Sequence, residues 1–260
     1  MIQLAKTHMT ETEELQLFNN LLPLARTAGE AIMDIHRHGV KHQQKADGSP
    51  VTLADQKSEE IILRGLRDEA PEVVVISEEN ADSHDIEAPQ TYFLVDPLDG
   101  TKEFISASGK GAFTVNIALI EGGVPVAGII YAPALDDMYW GLVGHGAFLN
   151  GSKIATRKSD ASNMTALASK SHRDEQTNLW LAENNITNTA AIGSSLKFCL
   201  IARGEADIYP RFGPTMEWDT AAGQAILSAA GGSVVHPDGR DFTYGKPDYR
   251  NGAFIAKGSS

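Results

Sequence analysis

The chain has 260 residues, 42% hydrophobic and 22% charged, an ordinary globular composition that excludes disordered and collagen-like classes. Its 22 basic and 34 acidic residues give a net charge of −12 and a pI of about 5.1. Such a surface repels nucleic-acid backbones and anionic lipid, so the chain is not expected to bind a nucleic-acid polymer; a small anionic substrate remains compatible if a cation or a local Lys/Arg cluster reverses the field in a cleft.

No run approaches the ~18 apolar residues of an integral membrane span. The opening Met1–Leu15 is polar and acidic and lacks an apolar signal core. The single Cys199 excludes an internal disulfide and any multi-cysteine metal site. Together these features predict a cytoplasmic protein, in which the three Asn-x-Ser/Thr triplets carry no meaning.

In chain order, Thr10-x-x-Glu13 reads as a capping box that opens a helix. Leu15, Phe18, Leu22, Ala25, Gly29 and Ile32 continue it as one apolar stripe to about His38. Asp47-Gly48-Ser49-Pro50 reads as a turn. Thr52 opens a second helix with Ile61, Ile62 and Leu66 inside. Short strands Val73–Ile76 and Tyr92–Val95 each end in acidic residues. A meander follows over Ala112–Ile120, Val124–Tyr131 and Met138–Val143, with turns at Glu121-Gly-Gly and Gly144-His-Gly146.

From Lys153 strands and helices alternate. Leu167–Ser169, Ala190–Ile192 and Asp207–Tyr209 read as strands; Glu175–Glu183, a segment from Ser195, and Thr220–Ala230 read as helices. The expectation is an α/β chain in one compact unit without a linker: an antiparallel-sheet half over residues 1–152 and an α/β half over residues 153–260.

The chemistry gathers at strand ends. Asp96-Pro97-Leu98-Asp99-Gly100-Thr101 places two carboxylates three residues apart, at the carboxyl end of an apolar strand where ligand sites of α/β proteins collect. Carboxylates so spaced around a tight turn can share a hard cation, with the free Leu98 carbonyl as a third oxygen ligand. The N–H groups of Gly100 and Thr101 can hold a phosphate. Each piece also has an innocent reading: an Asp-Pro…Asp-Gly turn here, solvated acids at Ser77-Glu78-Glu79, a helix N-cap at Asp219, and a helix-dipole partner at Asp55.

Taken together, Pro50-Val51-Thr52 with Asp55-Gln56, Ser77-Glu78-Glu79, Asp96 to Thr101 and Trp218-Asp219 stand in the order and spacing of the inositol-monophosphatase-like metal-dependent phosphatases. The resemblance runs from the first helix almost to the last residue. Within that family the chain looks most like the bacterial 3'(2'),5'-bisphosphate nucleotidases, through Lys102-Glu103-Phe104-Ile105, Gly193-Ser-Ser-Leu-Lys-Phe-Cys199 and Ala206-Asp-Ile-Tyr-Pro-Arg211.

The resemblance implies a layered αβαβα sandwich with the site where the two halves meet. It implies two or three Mg2+ ions, held by Glu78, Asp96, the Leu98 carbonyl, Asp99 and Asp219, and sensitivity to Li+. Mg2+ would lower the pKa of a bound water and stabilise the leaving oxygen. Asp55, Glu78 and Thr101 would be catalytic, with Thr101 bonded to Asp55 and orienting that water. The substrate would be a nucleotide bisphosphate, adenosine 3',5'-bisphosphate, cleaved to AMP and phosphate. It would touch Glu78, Leu98, Asp99, Gly100, Thr101 and Asp219, and on the nucleotide side Ser169, His172, Gly193 and Lys197.

His172 and Lys197 read equally as a surface histidine and a solvated lysine, and Arg211 and Lys102 equally as partners of acids. Other family members suggest attachment to the cytoplasmic face of the inner membrane, which the net charge opposes. The rivals are a phosphatase of inositol monophosphate, histidinol phosphate or fructose bisphosphate, and a catalytically silent metal- and nucleotide-binding regulator. Gly109-Lys110-Gly111 lacks P-loop spacing, the glycines at 144, 146 and 151 fit a hairpin, the eight histidines show no ligand spacing, and Cys199 reads as a buried apolar residue.

Overall fold

The computed structural model describes residues 10–39, 42–44, 50–106, 111–160, 162–169 and 174–259, with backbone alone at 11, 42–44 and 50. The predicted turn at Asp47–Ser49 and the glycine-lysine pair at 109–110 lie outside these residues.

The capping box opens α1 (Glu11–His38) as the sequence expects: the Thr10 N–H donates to Glu13 Oε2 at 2.8 Å and the Glu13 N–H to Thr10 Oγ1 at 3.3 Å. Two short strands, β1 (His42–Gln44) and β2 (Pro50–Thr52), pair antiparallel and lead into α2 (Leu53–Glu69). Next come β3 (Val74–Ser77), β4 (Thr91–Asp99), the one-turn helix α3 (Thr101–Ile105), β5 (Thr114–Glu121), β6 (Val124–Ala132), β7 (Asp137–Leu142), β8 (Gly146–Leu149) and β9 (Ser152–Ile154).

Strands β3 to β9 form one seven-stranded sheet in chain order. The expected meander is antiparallel from β4 onward, but β3 runs parallel to β4, so the first half is a mixed sheet. The remaining elements are β10 (Thr165–Ser169), α4 (Glu175–Glu183), β11 (Asn188–Ile192), α5 (Leu196–Ala202), β12 (Ile208–Arg211), β13 (Thr215–Met216), α6 (Ala221–Ala229), β14 (Ser233–Val235), β15 (Arg250–Asn251) and β16 (Phe254–Lys257). Five of these strands make a second sheet in the order β11-β10-β12-β16-β14, and β13 pairs with β15.

Alternation along the strands shows how the layers stack. In β4 and β5, Phe93, Val95, Val115, Ile117 and Leu119 face a core shared with Phe18, Leu21 and Ile32 of α1 and Ile62 and Leu66 of α2. Their neighbours Tyr92, Leu94, Ala118 and Ile120 face a second core with Phe198 of α5 and Ile226 of α6. That core also takes Leu167, Tyr209, Phe254 and Ala256 from the second sheet, while Ala166, Ile208 and Ile255 point the other way, toward Leu181 of α4. The order is therefore helices, sheet, helices, sheet, helix: an αβαβα sandwich. Helix α6 lies so close to the first sheet that a Cβ on Gly128 would come within 2.5 Å of the Ala222 carbonyl oxygen.

One ion pair, with its carboxylate buried and its guanidinium partly exposed, fastens the second sheet. The Asp207 carboxylate accepts Arg157 Nε at 2.8 Å, Arg157 Nη2 at 2.5 Å and the Thr165 N–H at 2.7 Å. The arginine holds the Asp207 carboxyl below its ordinary value of 3.8. A depressed folded pKa means the stabilisation is present above the unfolded value and is lost as pH falls through the folded one. Asp207→Asn is expected to cost about 2 kcal/mol in urea unfolding at pH 7, less than the roughly 3–5 kcal/mol of a fully buried pair, because Arg157 can still reach water. That cost should begin to shrink below about pH 4, where the unfolded chain's carboxyl takes up a proton, and vanish as pH falls through the depressed folded value.

Candidate active site

Strand β4 delivers the central acids. Its pairing with β5 runs in register to Asp96 opposite Asn116, then slips and resumes at Asp99 opposite Thr114. The intervening Pro97 and Leu98 form an irregularity of the kind that re-aims side chains beside functional sites. Ser58 Oγ of α2 donates to the Pro97 carbonyl at 2.7 Å and fixes it. The chain then turns through Gly100 at φ +89°, where a Cβ would also come within 2.8 Å of the Ala112 carbonyl oxygen. Only glycine suits that turn, which sets Thr101 at the start of α3.

Two further acids converge on Asp96. Glu78 follows β3, its N–H donating to the Val95 carbonyl at 3.1 Å and so extending the parallel ladder by one residue. Asp219 precedes α6, but it does not cap that helix: the cap is Thr220, and Asp219 Oδ2 accepts the Met216 N–H at 2.8 Å. The innocent reading of Asp219 therefore falls. Glu78, Asp96 and Asp219 each bring an oxygen within 4.8 Å of the others.

Asp96 is 1% exposed; its Oδ1 accepts the Leu98 N–H at 3.0 Å, whereas its Oδ2 is buried with no hydrogen-bond partner among the described residues. Burial first, and then the charges of Glu78, Asp99 and Asp219, push the Asp96 carboxyl well above its ordinary value. Burial and Asp99 do the same to Asp219. Three crowded carboxylates with an orphaned buried oxygen fit a hard divalent cation, which removes the repulsion and takes the free lone pairs.

Asp99 stands differently. Its Oδ2 accepts the Ser195 N–H at 2.5 Å, so the acid lies between the three-carboxylate group and the start of α5. Burial lifts its carboxyl to about 6 against the downward pull of Lys197. The Leu98 carbonyl accepts the Thr101 hydroxyl at 3.2 Å, and the same hydroxyl lies 3.2 Å from Asp55 Oδ1. Asp55 is buried at the third position of α2, where Oδ2 accepts both the Thr52 N–H and the Thr52 hydroxyl at 2.7 Å. It is thus a capping residue and a partner of Thr101 at once, and burial raises its carboxyl.

A cavity of about 580 Å3 opens beside these acids, and its lining brings Glu78, Asp99, Gly100, Thr101 and Asp219 together with Ser169, Gly193, Lys197 and Arg211. Lys197 is buried; its ammonium donates to the Ser194 carbonyl at 2.5 Å and lies 5.0 Å from the centre of the Tyr209 ring. Burial lowers it to about 8, which rules out the solvated-lysine reading. Gly193 packs so tightly that a Cβ would come within 2.9 Å of Glu103 Cγ. His172 lies outside the described residues.

Several lining groups were not legible in the sequence. Arg211, left open between ligand contact and acid partner, donates to the carbonyls of Gly213 (3.2 Å) and Pro214 (2.9 Å), and its charge acts on Asp174 and Asp219. Met216, Trp218 and Arg250 join it because β13 pairs with β15, Met216 standing opposite Arg250 and Thr215 opposite Asn251. Only the Asp219 motif hinted that this stretch approaches the acids. Cys199 is buried in the apolar core, as expected, and its thiol is raised.

The inositol monophosphatase family model matches residues 14–258. The chain belongs to the inositol monophosphatase family. It is 44% identical over 232 residues to the 3'(2'),5'-bisphosphate nucleotidase CysQ of Salmonella typhimurium, covering 88% of this chain and 94% of that protein. The CysQ nucleotidase of Escherichia coli K12 is likewise 44% identical, over 233 residues and the same shares. Among solved structures, CysQ from Bacteroides thetaiotaomicron superposes with a TM-score of 0.79 at 36% identity, over 93% of this chain and 97% of that one. The inositol monophosphatase of Anabaena gives 0.76 at 27% identity, over 95% and 92%. The family likeness carries the αβαβα layering along the whole described chain, and no helix among the described residues is long and apolar enough to cross a membrane.

Proposed function

We propose that the chain is a Mg2+-dependent 3'(2'),5'-bisphosphate nucleotidase that hydrolyses the 3'-phosphate of adenosine 3',5'-bisphosphate to AMP and phosphate. The observation that carries this reading is one cavity where acids and cations meet. It opens beside the Glu78, Asp96 and Asp219 group with its orphaned oxygen, and its lining also holds buried Lys197 and Arg211. A substrate with two separate anionic groups satisfies both, one phosphate on the metal side and the second on the cationic side. The relatives at 44% identity bear the nucleotidase name.

Mg2+ would be held by Glu78, Asp96, Asp219 and the Leu98 carbonyl with Asp99 beside them, and would supply charge neutralisation for the phosphate and acidity for water. The protein's own part is proton handling. The Thr101 hydroxyl takes a proton from the attacking water as it passes its own to Asp55 Oδ1, 3.2 Å away. Water oxygen bonds to phosphorus, the ester oxygen leaves and is protonated from solvent, and no covalent enzyme intermediate forms. Gly100, at φ +89°, presents the chain close to the phosphate without a side chain in the way.

The test is phosphate release from adenosine 3',5'-bisphosphate against inositol 1-phosphate and histidinol phosphate, with Mg2+, with chelator and with added Li+. Strong preference for the nucleotide, lost with chelator and suppressed by Li+, is the expected result. Better turnover of inositol phosphate overturns the substrate and keeps the site. Silence on every ester while nucleotide still binds favours the regulator.

A further inference from the structure

The seam between the two halves of the site carries a buried hydrogen-bond chain that the chemistry above does not use. Ser195 begins the stretch leading into α5 and is 2% exposed. Its hydroxyl lies 2.8 Å from Asn116 Oδ1 and 2.8 Å from Thr114 Oγ1, both buried on β5. Ser195 has one hydroxyl proton. Given to Asn116 Oδ1, it leaves the serine oxygen to accept from Thr114, so the direction runs Thr114 to Ser195 to Asn116. The same residue's backbone N–H holds Asp99 Oδ2 at 2.5 Å.

The register gives this chain its meaning. Asn116 stands opposite Asp96 and Thr114 opposite Asp99, so the two residues that grip Ser195 are the cross-strand neighbours of two central acids. Directly opposite residues of an antiparallel pair share a face of the sheet. That face points toward α5 and α6. Two residues after Ser195 comes Lys197, the buried cation of the cavity lining, and two before it Gly193. One serine thus ties the acids of the first sheet to the segment that shapes the nucleotide side.

We propose that Ser195 is a positioning residue that couples the metal acids to the substrate segment Gly193–Lys197, through Thr114 and Asn116 on one side and Asp99 on the other. The coupling has a simple physical form. Asp99 can serve a cation or the Ser195 N–H with the same oxygen. The hydroxyl clip keeps that N–H, and with it Lys197, in place whichever partner Asp99 takes. Without the clip, α5 starts from a looser anchor, and both the cation and the substrate have to order it on binding. The substrate half of this inference rests on the nucleotidase reading; the metal half does not.

The experiment is Ser195→Ala, with Mg2+ affinity measured by calorimetry in the absence of substrate, and kcat and KM for adenosine 3',5'-bisphosphate at saturating Mg2+. The expected result is a Mg2+ dissociation constant and a KM each raised at least about fivefold, with kcat reduced less than KM rises. A residue that only supports the fold lowers the melting temperature and leaves both constants alone in the folded range, and that result overturns the proposal. Thr114→Ser and Thr114→Val cover the case in which Ser195→Ala does not fold. The serine keeps the donor and should bind Mg2+ like wild type; the isosteric valine lacks it and should bind more weakly. Equal Mg2+ affinities for these two variants overturn the proposal. Wild-type protein that binds no Mg2+ overturns the nucleotidase reading with it; wild-type binding with an unchanged variant overturns the coupling alone.

Discussion

Asp96→Asn is expected to abolish phosphate release, by at least about 10^3-fold in kcat/KM, and at the same time to raise the melting temperature of the metal-free protein. The first effect follows from losing a central ligand oxygen, since even outer partners of metal ligands cost about 10- to 100-fold when removed. The second follows from burial of Asp96 together with the repulsion of Glu78, Asp99 and Asp219, which lift its carboxyl well above its ordinary value. An amide keeps the acceptor that Leu98 N–H uses at 3.0 Å, and turns the orphaned Oδ2 into a donor among carboxylates.

Removing one buried like charge of this kind stabilises by about 1–2 kcal/mol, or roughly 3–6 °C for a chain of this size. Mg2+ should reverse the ranking. At a hundredfold excess over its dissociation constant a bound cation adds about 2.7 kcal/mol to the wild type and little to the variant. Thermal melts with and without Mg2+ check all of this. A variant that retains turnover, or a wild type whose melt ignores Mg2+, contradicts the metal assignment to Asp96.

This trade of stability for chemistry explains which parts of the molecule could be read in advance. The acid motifs are local: Asp96 and Asp99 sit three residues apart, and Thr52 to Asp55 make one capping box. Spacing alone shows such pieces, and the family pattern shows that they belong together. Helices α1 and α4 were legible for the same reason, since caps and apolar stripes are written within a few turns.

What could not be read is long-range pairing. Strands β13 to β16 have two to four residues each, too few for alternation to show, and β13 meets β15 only through Thr215 opposite Asn251 and Met216 opposite Arg250. The parallel pairing of β3 with β4 was hidden because a helical turn at Ala81–Ser83 and a loop separate two runs that look alike in either direction. Arg211 was ambiguous because its partners are backbone carbonyls that no side-chain pattern announces. Asp99 held by Ser195 is likewise a contact between halves, 96 positions apart in the chain.

Asp55→Asn is expected to lower kcat by about 10^3-fold, within the range for losing a general base, with KM little changed. Asp55 has two jobs, and they can be separated. Its Oδ2 caps α2 through Thr52, while its Oδ1 faces the Thr101 hydroxyl. Thr52→Ala removes the cap hydroxyl and should cost about 1 kcal/mol of stability while kcat falls less than threefold. Thr101→Ala should match Asp55→Asn in kcat, because each breaks the same proton path, and the double variant should lose scarcely more than either alone. Thr101→Ser, which keeps the hydroxyl, should restore most of the rate.

The pH profile supplies the readout that a purely structural role would leave unmoved. Burial raises the Asp55 carboxyl, so the base is lost by protonation at a pH above the ordinary 3.8. The wild-type kcat therefore falls on an acid limb as pH drops through that raised value, and in Asp55→Asn the limb governed by this group disappears. A variant profile that keeps the wild-type acid limb assigns the base to another residue. Because Thr101 touches Asp55 Oδ1 and the Leu98 carbonyl at equal distances of 3.2 Å, its proton has two acceptors at rest. A cation held by the Leu98 carbonyl would leave Asp55 as the remaining acceptor and so favour the proton path through Asp55.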